Sequence, residues 1–384
     1  MEINFQKVVS EGQFEEKEVE LLSVPVGSIL AVPVYSPLGA LLLERGRTIN
    51  QREKEMLKAF KINKVRIQID KKVQVKTTNK QIDTSTQGPP VQHQAITSSE
   101  QIQHMKEEWK KEYEESVKLI EKVMIHVQTG GKVPVLEIRK NLENILQQVS
   151  SSPSLMMSIE TVRNVDSYTY HHSTAVAILA PMLAKWSGLP ENEQMQIALA
   201  GMLLDIGKSK IDSAILQKPG ALTQAEYEEM KQHTVLGYQI LKDTPGLSSG
   251  VALAALQHHE REDGTGYPLG LTGDKIHPYG KIVAICDIYH AMISNRVYRK
   301  GSSPFLVFDQ LLNDAFGRLD PNLVHIFVRN MMDLSVGEVV KLNNGEMGKI
   351  IFITSYAPTR PMVEVNGNII DLNLHRDLHI LEII

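Results

Sequence analysis

The chain has 384 residues, 42% of them hydrophobic and 22% charged, enough for two or three soluble domains with sizeable cores. Its formal net charge of −4 gives no global attraction to a nucleic-acid polymer or to anionic lipid, so an anionic ligand must be held by a local cluster of positive groups. A single cysteine, Cys286, excludes a disulfide framework and a cysteine-based zinc site, while the lack of a signal-peptide pattern or a stretch of about 18 apolar residues predicts a cytoplasmic protein without a membrane span.

From Val24 to Asp70 short alternating runs (VPVGSILAVPVYS, GALLLERG, KVRIQID) read as strands broken by Gly and Pro. Between the last two, QREKEMLKAF reads as a short amphipathic helix for which Thr48 or Asn50 can serve as cap. Residues 1–70 are therefore expected to form a small α+β module. Residues 71–100 are polar and bury little, as a linker does.

A helical period begins near Gln101, with Ile102, Met105, Trp109, Tyr113, Val117, Ile120, Met124 and Val127 three or four positions apart. Such a stripe either lies on its own domain or, following a linker, pairs two copies of the chain as a homodimer through residues 101–128. After Gly130-Gly131 a second helix is expected near Pro134. From there to residue 334 nearly every segment reads as helix, with apolar runs too continuous for surface helices (HHSTAVAILAPMLAKWSGL, NEQMQIALAGMLLDIG, TQAEYEEMKQHTVLGYQIL, SGVALAALQHHE). After Leu334 the period changes to two (EVVKL, GKIIFIT, MVEVNG, NIIDL), and Asn344-Gly345 and Asn366-Gly367 are hairpin-turn pairs. Residues 335–384 are thus predicted to be a small antiparallel β module, and the chain as a whole is mainly α.

The helical block holds most of the thirteen histidines. His171 and His172 open an apolar helix, Asp205 ends another with Lys208 nearby, His233 lies in QHTVLG, and His258 and His259 close ALAALQHHE. Asp287, flanked by Val283, Ala284, Ile285, Ile288 and Tyr289, would place a carboxylate in a core, which is costly unless it is paired or bound to metal. Either a salt bridge, to Lys208 or Arg296, or a cation satisfies it. A mixed nitrogen and oxygen ligand set on separate helices suits Fe, Mn or Zn better than the all-oxygen sites of Mg or Ca. No Ser-His-Asp or Cys-His arrangement and no phosphate-cradling glycine loop competes with this reading.

The ordered motifs YTYHHS, LLDIGKSKI, ILQKPGALTQAEYEEMKQHTVLGYQIL, QHHEREDGTGYPLGL and AICDIYHAMISNRVYR, spanning residues 168–300, resemble an HD-GYP domain of the HD phosphohydrolase superfamily. The resemblance covers about a third of the chain and implies a helical bundle that hydrolyses cyclic di-GMP to pGpG or GMP at a two- or three-metal centre, Fe or Mn being expected. By position it implies metal ligands His172, Asp205, His233, His258, His259 and Asp287, with Asp205 as the bridge and as a catalytic residue together with Lys208. It further implies substrate contacts from Lys208, Tyr267, Arg296 and Arg299, and a pocket shaped by the loop Gly266-Tyr267-Pro268.

Three positions depart from the pattern. The hallmark His-Asp pair reads Leu204-Asp205, so one metal site lacks an imidazole. The carboxylate one turn before the first histidine ligand falls on Tyr168, so a third metal is not expected. The aspartate one turn after the last ligand reads His290, which lies three residues from Asp287 on roughly the same helix face; His171 or His290 could supply the missing nitrogen only by turning inward. Two functions follow: a metal-dependent cyclic di-GMP phosphodiesterase weakened by Leu204, or a degenerate module that binds the dinucleotide and metal and passes a signal on. A purely structural scaffold is a third.

Overall fold

The computed structural model describes residues 14–35, 41–50, 53–54, 57–58, 62–70, 99–153, 155–156, 159, 168–294, 303–315, 317–354 and 356–384. The expected linker therefore lies almost wholly outside the described residues, as do Arg296 and Arg299. Two units separate within the chain, Met1–His93 and Gln94–Ile384.

In the first unit β1 (Phe14–Glu20) pairs antiparallel with β6 (Lys64–Asp70), β2 (Ser28–Ile29) with β5 (Thr48–Ile49), and β3 (Val34–Tyr35) with β4 (Leu41–Leu43). The expected short helix lies largely outside the described residues, but Asn50 Oδ1 accepts from the Glu53 N–H and the Glu53 carboxylate accepts from the Asn50 N–H, both at 3.1 Å, the reciprocal pattern of a helix cap. This reciprocal pair satisfies two otherwise orphaned donors, and Leu30, Ile49 and Leu57 fill the core beside it.

The second unit opens with α1 (Ser99–Gln128), α2 (Val135–Ser151), α3 (Tyr168–Trp186) and α4 (Glu191–Leu203). From Trp109 to Val127 the apolar stripe of α1 is buried in the core of its own unit, which is the first of the two readings of that stripe. A 3-10 turn, Ile206–Lys210, follows α4 and leads to the short α5 (Ser213–Leu216). The segment that reads as one helix over 224–241 is two, α6 (Gln224–Lys231) and α7 (His233–Leu241), separated at Gln232. A capping box between Thr223 and Glu226 fixes the start of α6. Then come α8 (Ser249–Gln257), α9 (Pro278–Ile293), α10 (Pro304–Asp314) and α11 (Pro321–Leu334), the start of the last set by Asp320, whose side chain accepts from the N–H groups of Asn322 and Leu323. Helices α3, α4, α8 and α9 pack on one another at the centre, which explains why their sequences lack a polar stripe.

The C-terminal sheet is antiparallel in the order β10-β9-β8-β7-β11, with β7 Val339–Leu342, β8 Met347–Thr354, β9 Ala357–Val365, β10 Asn368–Asp371 and β11 Ile380–Ile383. Asn366-Gly367 forms the β9–β10 turn as its sequence predicts, with positive φ at both residues. The fifth strand, β11, carries only four residues and no turn pair announces it. Val340, Leu342, Ile350 and Val363 share one hydrophobic cluster with Phe308, Phe327 and Met331 of α10 and α11. The change of period at residue 335 thus marks a change of secondary structure within one core. No helix among the described residues is long and apolar enough to cross a membrane.

Candidate metal centre

The six histidines and aspartates singled out by sequence meet at one place, carried there by separate elements. His172 sits in the first turns of α3, Asp205 just past α4, His233 at the first residue of α7, His258 and His259 just past α8, and Asp287 in the middle of α9. Gly207 makes the approach of Asp205 to His233 possible. A Cβ on Gly207 would collide with the main-chain oxygen of His233, so only glycine lets the 3-10 turn press against α7. As a result Asp205 Oδ1 lies 3.4 Å from His233 Nε2. His233 Nε2 lies 3.4 Å from His258 Nε2. On the other side, His172 Nε2 is 2.9 Å from Asp287 Oδ1, and His259 Nδ1 is 3.9 Å from Asp287 Oδ2. One ring nitrogen from each of His233, His258 and His259 lies within 4.8 Å of the others.

Main-chain carbonyls set the tautomers. His233 Nδ1 is 2.7 Å from the Met230 oxygen, and His258 Nδ1 is 3.1 and 3.0 Å from the oxygens of Ala254 and Ala255. A carbonyl can only accept, so both Nδ1 atoms carry the proton and donate. Burial lowers the pKa of His233 to about 4 and also lowers that of His258, so both rings are neutral at pH 7 and their facing Nε2 atoms carry lone pairs. Burial likewise pulls His259 well below the usual histidine range, helped by His258. Two lone pairs aimed at each other in a buried space repel unless an electrophile lies between them. A divalent cation meets that requirement, and this donor set fits one, with outer hydrogen bonds of the kind that orient metal-bound histidines.

The carboxylates are charged. Burial alone would raise the Asp205 carboxyl, but Lys208 and the imidazoles around it outweigh burial and hold it well below the usual range. Asp287 is also held low: burial raises it, and the hydrogen bond and charge of His172, with His259 and His258, overcome that. Lys208 Nζ contacts Asp205 Oδ2 at 2.7 Å, so the lysine pairs with Asp205 and not with Asp287. Of the two ways of satisfying Asp287 left open by the sequence, the described partners are histidines.

Neither histidine considered as a replacement nitrogen takes that place. His171 stacks on Tyr113 of α1 with ring centroids 5.8 Å apart. His290 does turn inward, but to the rear of His172: their Nδ1 atoms are 3.0 Å apart, while His172 Nε2 faces Asp287. Leu204 is fully buried among hydrocarbon, and Tyr168 stacks on the His172 ring at 5.6 Å.

The loop Gly266-Tyr267-Pro268 closes one side. Tyr267 stacks on His259 with centroids 4.6 Å apart, and its N–H donates to the His259 oxygen at 3.2 Å. A Cβ on Gly266 would overlap Glu260 Cα, so glycine is required for the loop to lie against the ligand turn. Two residues that sequence reasoning passed over hold this region. Glu260 is 2% exposed and accepts from the N–H groups of Leu269 and Leu271 at 2.7 and 2.9 Å, pinning the loop to the residue after His259. Arg261 donates to the oxygens of His258 and Glu260 at 3.2 and 2.8 Å. Their signal was adjacency: both directly follow the His-His pair in QHHEREDG.

Residues 149–323 match the HD domain family. Over 224 residues the chain is 34% identical to the cyclic di-GMP phosphodiesterase PA4108 of Pseudomonas aeruginosa, covering 58% of this chain and 54% of that protein. Over 221 residues it is 34% identical to 3'3'-cGAMP-specific phosphodiesterase 1 of Vibrio cholerae, covering 56% and 50%. The chain therefore spans about half the length of the curated relatives it matches. A solved HDG"Y"P protein of Bdellovibrio bacteriovorus, Bd1817, superposes with a TM-score of 0.50 at 15% identity, over 82% of this chain and 98% of that one, a likeness of fold.

Proposed function

Because residues 149–323 match the HD domain family, we propose that the chain is a metal-dependent phosphodiesterase acting on a cyclic dinucleotide, with cyclic di-GMP as substrate. The observation that carries this reading is the pair of neutral, Nδ1-protonated imidazoles, His233 and His258, whose Nε2 atoms face each other at 3.4 Å beside the ionised Asp205. His233, His258 and His259 with Asp205 would hold one cation, and His172 and Asp287 with Asp205 a second, Fe or Mn by donor type. Divalent cations there would supply Lewis acidity toward a phosphate oxygen and ease deprotonation of the attacking water.

The chain's own residues contribute the rest. Lys208 contacts Oδ2 of Asp205 and its side chain is 23% exposed, so its ammonium would meet a phosphate oxygen of the ligand there. Tyr267, braced on His259, would border the substrate, and Arg296 and Arg299 would add charge of the guanidinium type suited to phosphate. Hydrolysis of cyclic di-GMP by protein loaded anaerobically with Mn or Fe(II), followed by separation of pGpG and GMP, tests the reading. Product formation that disappears in Asp205→Asn supports it, and its absence under both metals overturns it.

Leu204 favours a second reading, in which the module binds dinucleotide and metal without turning the ligand over. A buried hydrocarbon side chain cannot donate to a metal, which leaves the His172 side short of one imidazole. Binding without product by the native chain, together with strong turnover by Leu204→His, is the outcome this reading expects.

A further inference from the structure

Helix α6 ends two residues before His233, and its Met230 oxygen receives the Nδ1 proton of that ring. The same helix reaches the signature loop from the other direction. Lys231 Nζ lies 5.7 Å from the centroid of the Tyr267 ring and 5.4 Å from that of Tyr227, four residues back on α6. Its charge is also paired with Glu228 at 2.6 Å. Stacked imidazole, phenol, ammonium and second phenol therefore follow one another outward from His259. Tyr227 at the outer end is 44% exposed, high for an aromatic ring beside a buried polar centre.

From this sequence of contacts we propose that Tyr227 is a stacking face for one purine base of the ligand, with Lys231 as the positioning residue that holds it beside the signature loop. The proposal rests on the cyclic-dinucleotide reading and deepens it. A cyclic dinucleotide carries two bases on opposite sides of its phosphodiester ring, so a phosphate seated among the metal ligands sends a base outward. An exposed π face accepts any base, and stacking on it is insensitive to base identity. The Lys231 cation lies near both rings, and Tyr227 stays 44% exposed beside it.

The test is calorimetric titration of the Mn-loaded full chain with cyclic di-GMP, with 3'3'-cGAMP and with inorganic phosphate. Tyr227→Ala is expected to weaken both dinucleotides roughly five- to hundredfold, the range for loss of one base–aromatic stack. Tyr227→Phe should bind as the native chain does, and phosphate affinity and Mn content should be unchanged in both variants. Lys231→Met should lose dinucleotide affinity and Lys231→Arg should keep it, while Glu228→Gln, which removes only the ion pair of Lys231, should bind as the native chain does. If Tyr227→Ala binds both dinucleotides as tightly as the native chain, the stacking face is overturned while the substrate reading stands. If the native chain binds neither dinucleotide, the substrate reading itself is overturned, and the stacking face with it.

Discussion

At the scale of single residues, the centre is defined by which nitrogens keep their protons. His233 and His258 give theirs to main-chain oxygens, which leaves the inward nitrogens bare. His172 is handled differently, because its rear nitrogen meets another histidine, His290, and not a fixed acceptor. With the ionised Asp287 carboxylate accepting at 2.9 Å, His172 Nε2 carries the ring proton in the metal-free protein and Nδ1 accepts from His290, whereas a carboxylate behind Nδ1 would only accept and would draw the proton there. The His172 side of the centre is therefore less ready for a cation than the His233 side, apart from any effect of Leu204. The burial that keeps His233 and His258 neutral also makes the metal-free protein sensitive to acid. His233 titrates near 4 when folded against 6.5 for an ordinary histidine, so between those values the unfolded chain binds more protons. Stability should be level above about pH 6.5 and fall as pH drops from there toward 4. Asp205 and Asp287, depressed in the folded state, add further loss as pH falls below 3.8. Thermal midpoints measured in chelator across pH 4 to 8 check this; a midpoint flat through that window would contradict the assigned protonation.

At the scale of elements, the geometry depends on close approach where a side chain would intrude. Gly207→Ala would drive a methyl group into the His233 carbonyl, and backbone on both sides leaves little room to yield. The expected result is a loss of about 1–3 kcal/mol of stability, typical of overpacking, together with weakened metal binding as Asp205 moves from His233. Denaturant unfolding and metal titration of the same variant measure the two effects. Much of this level was legible in the sequence. The change from a period of 3.6 to one of two at residue 335, the buried runs of α3, α4, α8 and α9, and the turn at Asn366-Gly367 all follow from patterning. The break between α6 and α7 was not, because Lys231-Gln232-His233 contains no helix breaker; it is set by the docking of α7 on the 3-10 turn at Gly207. The strand β11 was missed for a similar reason: it pairs with β7 at long range and buries only Ile380 well. Which histidines and aspartates meet at the centre was readable from a resemblance in order and spacing, yet Glu260 and Arg261 were not, since their roles lie in main-chain partners that no pattern of side chains reveals.

At the scale of the molecule, the helices that carry the ligands and the C-terminal sheet share a core. Val340, Leu342, Ile350 and Val363 face Phe308, Phe327 and Met331 within it. Each such side chain is worth about 1.5–3 kcal/mol when buried, against a total stability of about 5–15 kcal/mol for a domain. A chain ending at residue 334 should therefore lose cooperative unfolding, whereas one comprising residues 94–384 should keep it, which calorimetry of the two truncations will show. The most direct measurement of the central claim is metal content after anaerobic loading with Mn or Fe(II) and gel filtration, compared between the native chain and His258→Ala. We expect bound metal in the native chain and a clear loss in the variant, whose circular dichroism remains helical. A native chain that emerges without metal, or a variant that retains the full amount, would contradict the convergence of these imidazoles on a cation.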